Sequence, residues 1–67
     1  MSIILDILTV NYIGELANIT FYPCTGGVIN IGTVLLPYSY ENDNYFGTYE
    51  IYVINYNQTC LLEVPCP

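Results

Sequence analysis

The side chains of this chain that could do chemistry are six carboxylates, three thiols and eight tyrosine hydroxyls. There is no Lys, Arg or His, so the chain lacks the usual general bases and has no cationic side chain to hold an oxyanion. Two carboxylates could form a glycosidase pair. A chain of 67 residues has little room for a cleft, however, and its carboxylates are more simply solubilising charges. The sequence therefore predicts a protein that is not an enzyme, with no catalytic residues and no cofactor.

The run from Glu41 to Asn44, ENDN, is the part of the chain that could hold a hard cation. Its carboxylate and amide oxygens are the ligands that Ca²⁺ prefers. The run lacks the alternate spacing and the distal Glu of a calcium-binding loop, so we interpret it as a solvated turn. A zinc site is also disfavoured, because Cys24, Cys60 and Cys66 would need a fourth ligand and the chain has no His.

The three cysteines are an odd number, so at least one cannot pair within the chain. On an extended stretch, Cys60 and Cys66 are too far apart to pair without a chain reversal. Cys24 could pair with Cys60 if their strands are neighbours. Free or buried thiols and a single disulfide both remain open. We predict that at least one thiol stays free or bonds between chains, and that Cys66, in the proline-bounded tail, lies outside the core.

The charge of the chain restricts its partners. A net charge of −6 with no side-chain cation gives the chain no means of binding a phosphate backbone, so nucleic acid is excluded as a direct ligand. Anionic membrane surfaces are disfavoured for the same reason. An ionic partner must be a basic protein surface or a metal cation. Tyrosine supplies contact area with a polar tip, and its abundance therefore indicates protein partners.

The stretch from Gly47 to Val64 predicts an antiparallel hairpin. Gly47–Tyr56 alternates in the manner of a half-buried strand, and both of its faces are rich in apolar or aromatic residues. Asn57-Gln58 is then a tight turn, and Thr59–Val64 is the returning strand.

Three further segments read as strands. They are Ser2–Tyr12, Ala17–Tyr22 and Val28–Leu36. No segment favours a helix. The sequence therefore predicts a single all-β domain over residues 1–67, a small antiparallel β-sandwich or partly closed barrel of about five strands.

Proline and glycine mark the boundaries of these strands. Pro23 ends the second strand, and Cys24-Thr25-Gly26-Gly27 is the strongest turn signal. Gly32 predicts a bulge. Pro37 ends the third strand. The segment from Tyr38 to Phe46 is predicted to be a polar loop flanked by tyrosines.

Two of the predicted strands are apolar on both faces and so require a second cover. So short a chain also buries only a thin core, which predicts help from a staple, a metal or neighbouring subunits. We expect the contact surface to include apolar and tyrosine side chains of the first strand and the hairpin. The interface candidates are Ile3, Leu5, Ile7, Tyr52, Ile54 and Tyr56.

An ordered series of short elements runs through the middle of the chain. The elements are Cys24-Thr25-Gly26, apolar residues from Val28, Leu36-Pro37-Tyr38, Tyr45-x-Gly47-Thr48-Tyr49 and Thr59-Cys60. This series, from Phe21 to Val64, resembles short β modules in structural proteins of large tailed bacteriophages. The resemblance implies a virion component, either a decoration or cement protein of the capsid or a small neck or tail piece. It implies no catalytic residues.

These observations lead to one principal expectation of function. We expect a small structural virion protein that binds a symmetric protein surface in many copies, with like copies or a major structural protein as its partners and the virion as its location. One alternative is a subunit of a self-assembling extracellular filament or surface layer, held by strand addition at exposed edges. Another is a small carbohydrate- or ligand-binding module that uses the loop Tyr38–Phe46.

Overall fold

The structure is a computed structural model that describes residues 4–7 and 9–67, with side chains described for residue 7 and residues 9–67. Six strands are present in the described residues: β1 (Ile4–Ile7), β2 (Leu16–Pro23), β3 (Ile29–Leu35), β4 (Tyr38–Glu41), β5 (Gly47–Val53) and β6 (Gln58–Val64). Two single-turn 3₁₀ helices, Val10–Tyr12 and Ile54–Tyr56, lie between strands.

The strands form two antiparallel sheets. The larger sheet has four strands in the order β3-β2-β5-β6, and the smaller one pairs β1 with β4. The larger sheet does not close on itself, because β3 and β6 each pair with only one neighbour among the described residues. The predicted small antiparallel all-β fold is therefore confirmed, with one strand more than the sequence suggested.

One face of the four-stranded sheet supplies the core. Alternate residues of β2 and β5 point to this face, as a strand with one buried side requires. The β1–β4 pair covers it with Ile7 and with Tyr38 and Tyr40 of β4, and Leu36 fills the space between. The fully or nearly fully buried residues are Ile7, Ala17, Ile19, Phe21, Leu36, Tyr49, Ile51 and Val53.

The predicted hairpin is present. β5 and β6 pair without interruption from Gly47↔Val64 to Val53↔Gln58. The strand prediction for Ile54–Tyr56 is wrong, because these residues form the 3₁₀ turn that leads into β6. Asn57 ends this turn with a φ of 50°, a left-handed conformation that Asn tolerates better than most residues.

The predicted bulge and turn in the β2–β3 hairpin are also confirmed. The pairing shifts by one residue between Ile19↔Gly32 and Thr20↔Asn30, which leaves Ile31 as the extra residue of β3. Beyond the end of β2, the N–H of Gly26 donates to the carbonyl oxygen of Pro23 at 3.0 Å.

Two of the predicted segments differ in the structure. The first half of the predicted loop Tyr38–Phe46 is a strand, β4, which pairs with β1 from Ile4↔Glu41 to Ile7↔Tyr38. The predicted first strand, Ser2–Tyr12, is strand only over Ile4–Ile7, and Val10–Tyr12 is a 3₁₀ turn.

A disulfide joins Cys24 to Cys66, with their Cα atoms 5.9 Å apart and 42 residues between them in sequence. β2 and β6 end on the same side of the sheet, where β5 begins, so the bridge links the two strands that flank β5. The considered pairing of Cys24 with Cys60 does not occur, because Cys60 lies on β6, which does not neighbour β2. Cys60 is the free thiol, which confirms the prediction that at least one thiol stays unpaired within the chain. Cys66 is exposed, which confirms its predicted place outside the core.

Candidate protein-binding surface

The chain leaves one face of its four-stranded sheet uncovered. We call this the open face. It consists of the residues of each strand that alternate with the core positions: Leu16, Asn18, Thr20, Tyr22, Asn30, Thr33, Leu35, Thr48, Glu50, Tyr52, Thr59, Leu61 and Glu63. None of these side chains is buried, so the face is open to solvent across the whole sheet.

The middle of the open face is polar and partly ordered by its own hydrogen bonds. Asn18 lies opposite Thr33 on one side and Tyr52 on the other. The amide Nδ2 of Asn18 donates to the Thr33 hydroxyl at 3.5 Å. The hydroxyl of Tyr52 donates to the side-chain oxygen of Asn57 at 2.5 Å, which fixes the Tyr52 ring along the sheet.

Apolar side chains lie at two positions around this polar centre. Leu16 and Leu35 are directly opposite each other at one end, 47% and 58% exposed. Leu61 lies on the outer strand β6 and is 67% exposed. None of these leucines belongs to the core or packs against it, so their exposed area is available to a partner.

Two carboxylates give the open face a negative charge. Glu50 and Glu63 lie on neighbouring strands, offset by two residues in the register. Such diagonal neighbours are about 7–8 Å apart. No side-chain cation exists in this chain to neutralise them. A partner that brings Lys or Arg to this face would therefore meet carboxylates that have no competing ion pair with a side chain of the chain itself.

The structure separates the predicted interface residues. Tyr52 is on the open face, and Ile54 and Tyr56 are exposed at the turn beyond it. Tyr56 packs edge-to-face on Tyr12, with ring centroids 5.0 Å apart. These three candidates therefore lie near one another at one end of the sheet.

The first-strand candidates do not join them. Ile7 is fully buried in the protein's own core, so this placement corrects its prediction as a contact residue. The reason is that β1 pairs with β4 and the pair packs on the sheet, which turns Ile7 inward. Ile3 lies outside the described residues, as does the side chain of Leu5.

Sequence reasoning missed the leucines of the open face. The predicted second strand begins at Ala17, one residue after Leu16, and Leu35 lies in the predicted strand Val28–Leu36 with no contact role assigned. The signal was present, because Leu16, Asn18 and Thr20 alternate with the apolar residues that form the core. The sequence does not show how many faces of the sheet the chain itself covers, and this number decides whether these leucines are buried or exposed.

The tyrosines of the predicted loop belong largely to the interior. The Tyr40 ring packs edge-to-face on Phe21 and Tyr49, with centroid distances of 5.8 and 6.0 Å. The Tyr49 hydroxyl donates to the carbonyl oxygen of Tyr45 at 2.6 Å. Burial, together with the neighbouring Tyr40 and Tyr45, raises the pKa of Tyr49 to about 12. Tyr40 and Tyr49 thus serve the core and do not form a binding rim.

The ENDN run forms a turn closed by its own side chains. The backbone N–H of Asn44 donates to Oδ1 of Asn42 at 3.0 Å, and Nδ2 of Asn42 donates to the Tyr40 hydroxyl at 2.7 Å. Over residues 4–7 and 9–67, no group of three or more acidic, Cys or His side chains could hold a metal ion. The same residues enclose no pocket.

Comparison with protein-family models, curated proteins and solved structures finds no match to this chain. Among the described residues, no helix is both long and apolar enough to cross a membrane. The chemistry of the open face is therefore the basis on which a function can be inferred.

Proposed function

We propose that this protein is a small structural subunit that binds a protein surface through the open face of its four-stranded sheet. The observation that carries the proposal is the sheet itself: the β1–β4 pair packs on the core side of its central strands, and no described element of the chain covers the other face. Its exposed leucines and tyrosines provide apolar contact area, and its hydroxyl, amide and carboxylate groups provide polar contacts.

The chemistry of the open face favours a partner of a particular kind. If the open faces of two copies met, Glu50 and Glu63 of one copy would lie against the same carboxylates of the other. The chain has a net charge of −6 and no side-chain cation to relieve that repulsion. A partner with Lys or Arg at its contact surface relieves it. We therefore propose a different protein, with a basic or mixed surface, as the occupant of the open face.

We further propose that this partner is a major structural protein of a virion, bound in many copies. The support is the resemblance of residues 21–64 to short β modules of tailed-bacteriophage structural proteins. The exposed disulfide between Cys24 and Cys66 fits a location on a particle surface, where disulfides persist. No constellation among the described residues favours a catalytic role.

The second candidate is a subunit of an extracellular filament or surface layer. Its support is that both outer strands, β3 and β6, have one side unpaired among the described residues, so strands of other copies could add there. The carbohydrate-binding alternative gains no such support, because Tyr40 packs into the core.

A virion role can be tested on the particle. Quantitative mass spectrometry of purified virions from the source of this chain should detect it in many copies per particle. Particles depleted of it should rebind the purified wild-type chain. Absence from purified virions, or failure of depleted particles to rebind the folded chain, would contradict the proposal.

Variants of the open face test the surface itself. Thr20→Lys places a cation opposite Glu50 at the centre of the face, where it repels a basic partner, and should reduce rebinding at least tenfold. Thr25→Lys makes the same change in the exposed β2–β3 turn and should rebind like the wild type. Equal rebinding of the two variants would show that the open face is not the contact surface.

A further inference from the structure

The two outer edges of the four-stranded sheet differ in regularity. β3 pairs with β2 through a bulge at Ile31-Gly32, which interrupts the ladder and bends the strand. β6 pairs with β5 over all seven of its residues without any shift. A regular outer strand of this length presents an unbroken row of backbone N–H and C=O groups to another strand.

β6 also lacks most of the usual protections of an outer strand. Natural sheets block their edges with charged side chains, above all Lys, with Pro, with bulges or with a covering segment. From Gln58 to Val64 there is no Lys and no Pro, and the one charged residue, Glu63, lies next to the end of the strand. No described strand lies against the outer side. The chain after Val64 does not cover this side either, because the disulfide draws Cys66 across the start of β5 towards Cys24.

From these observations we propose that two copies of this chain associate by antiparallel pairing of β6 with β6 about a two-fold axis at Leu61. The pairing continues the sheet of one copy into the sheet of the other. It does not depend on the proposed function, because it uses the edge of the sheet and leaves the rest of the open face free.

The sequence of β6 suits pairing with itself. With Leu61 opposite its own copy, Cys60 lies opposite Leu62 of the second copy, and Gln58 lies opposite Val64. Glu63 then faces Thr59, and the two Glu63 residues are four positions apart along the strand. That offset is about 14 Å, beyond the screening length at physiological salt. Like charges are therefore not opposed in this register.

The pairing also covers apolar area on both sides of the sheet. Leu61 is 67% exposed on the open face and would contact its own copy across the axis. On the core side, Cys60, Leu62 and Val64 are only partly buried against the core in the single copy. A neighbouring strand would complete their burial, which favours association beyond the backbone hydrogen bonds.

Sedimentation equilibrium of the purified chain tests the association. From about 1 µM to about 1 mM chain, the average mass should rise from that of one copy to that of two. Leu61→Glu places two like charges on the axis and should weaken the dimer at least tenfold, whereas Leu35→Glu, which adds the same charge on the outer strand β3, should leave it nearly unchanged. Circular dichroism checks that both variants are folded, as the exposure of both leucines predicts.

Cross-linking tests the register. In a Cys60→Ser background, Leu61→Cys should give a disulfide-linked dimer under mild oxidation, and Thr33→Cys on β3 should not.

Because each copy carries a net charge of −6, raising the salt from about 0.02 M to about 0.5 M should strengthen the dimer. A monomer throughout the concentration range, a dimer unaffected by Leu61→Glu, or cross-linking through Thr33→Cys in place of Leu61→Cys would overturn the proposal. All of these measurements use the isolated chain, so their failure would not bear on the open face as a site for another protein.

Discussion

Phe21 and Tyr49 stack nearly parallel, with ring centroids 4.3 Å apart and an interplanar angle of 9°. They are directly opposite each other in the register of β2 and β5, the two central strands of the sheet. Both side chains are fully buried. In a chain with so few core residues, this stack links the two central strands on the core side of the sheet, where both are paired side by side.

Removal of the stack should be costly. We expect Phe21→Ala to reduce the free energy of unfolding by about 3–5 kcal/mol, because it removes apolar area and leaves a cavity. Tyr22→Ala, at the next position of β2, removes a partly exposed ring from the other face and should cost less than half as much. Denaturant titration of both variants measures the difference; similar costs would contradict the assignment of the stack to the core.

Gly47 cannot carry a side chain. A Cβ at this position would lie 2.2 Å from the carbonyl oxygen of Tyr22 and 2.9 Å from Cε1 of Phe21, and its φ of 147° disfavours L side chains as well. We expect Gly47→Ala to prevent folding or to separate β5 from β2 at this end. Gly26→Ala has only the conformational cost of a positive φ, about 1–3 kcal/mol, because nothing lies within 4 Å of its Cβ. Thermal unfolding compares the two, and a Gly47→Ala variant as stable as Gly26→Ala would refute the close contact.

The disulfide should supply a large part of the stability of the isolated chain. It closes a loop with a sequence separation of 42 residues, which in the chain-entropy account is worth about 4 kcal/mol. The double variant Cys24→Ala/Cys66→Ala should therefore unfold at markedly lower denaturant concentration than the oxidised chain. Cys60→Ala retains the disulfide and serves as the control. If reductant leaves the midpoint of the wild type unchanged, the disulfide does not contribute in this way.

Tyr49 should make stability depend on alkaline pH. Its pKa is raised from 10.0 to about 12 in the folded chain, so between these values the folded state holds a proton that the unfolded state loses. Its contribution is complete below about pH 10 and falls as the pH rises towards 12. Tyr49→Phe should flatten this part of the stability profile, and Tyr22→Phe should not. An unchanged slope in Tyr49→Phe would contradict the prediction.

Binding of another protein to the open face should depend only modestly on salt. An exposed ion pair between Glu50 or Glu63 and a Lys or Arg of the partner contributes roughly 0–1 kcal/mol. The apolar contacts should therefore dominate the binding free energy. Added salt should weaken the complex slightly, opposite to its strengthening of the pairing between two β6 strands. Calorimetry across a salt series measures this. Dissociation by a few hundred millimolar salt would show that the contact is mainly ionic.

The sequence was most informative where one face of a strand is buried in the protein itself. Ala17, Ile19 and Phe21 alternate with polar residues, and this period defines β2 and its inner face directly. The bulge at Gly32 and the β5–β6 hairpin were predictable for a second reason. Each depends only on residues that are close together in the sequence.

Features that depend on distant parts of the chain were not predictable. β4 has the polar sequence YSYE and forms a strand because β1 pairs with it from far away in the sequence. The partner of Cys24 depends on the order of the strands and on the path of the tail after Pro65. The open face could be recognised only once it was known that the chain has a single covering layer.

The bridge between Cys24 and Cys66 makes residues 24–66 a covalent ring that contains β3 to β6. A pulling force applied to the two ends of the chain would therefore act mainly on the segment that precedes Cys24. That segment can lengthen to at most about 80 Å, whereas the whole open chain would reach about 230 Å. Within the ring, the β5–β6 hairpin would bear no direct tension. A subunit anchored by its two ends would thus act as a short tether of limited extension, and reduction would nearly triple its reach.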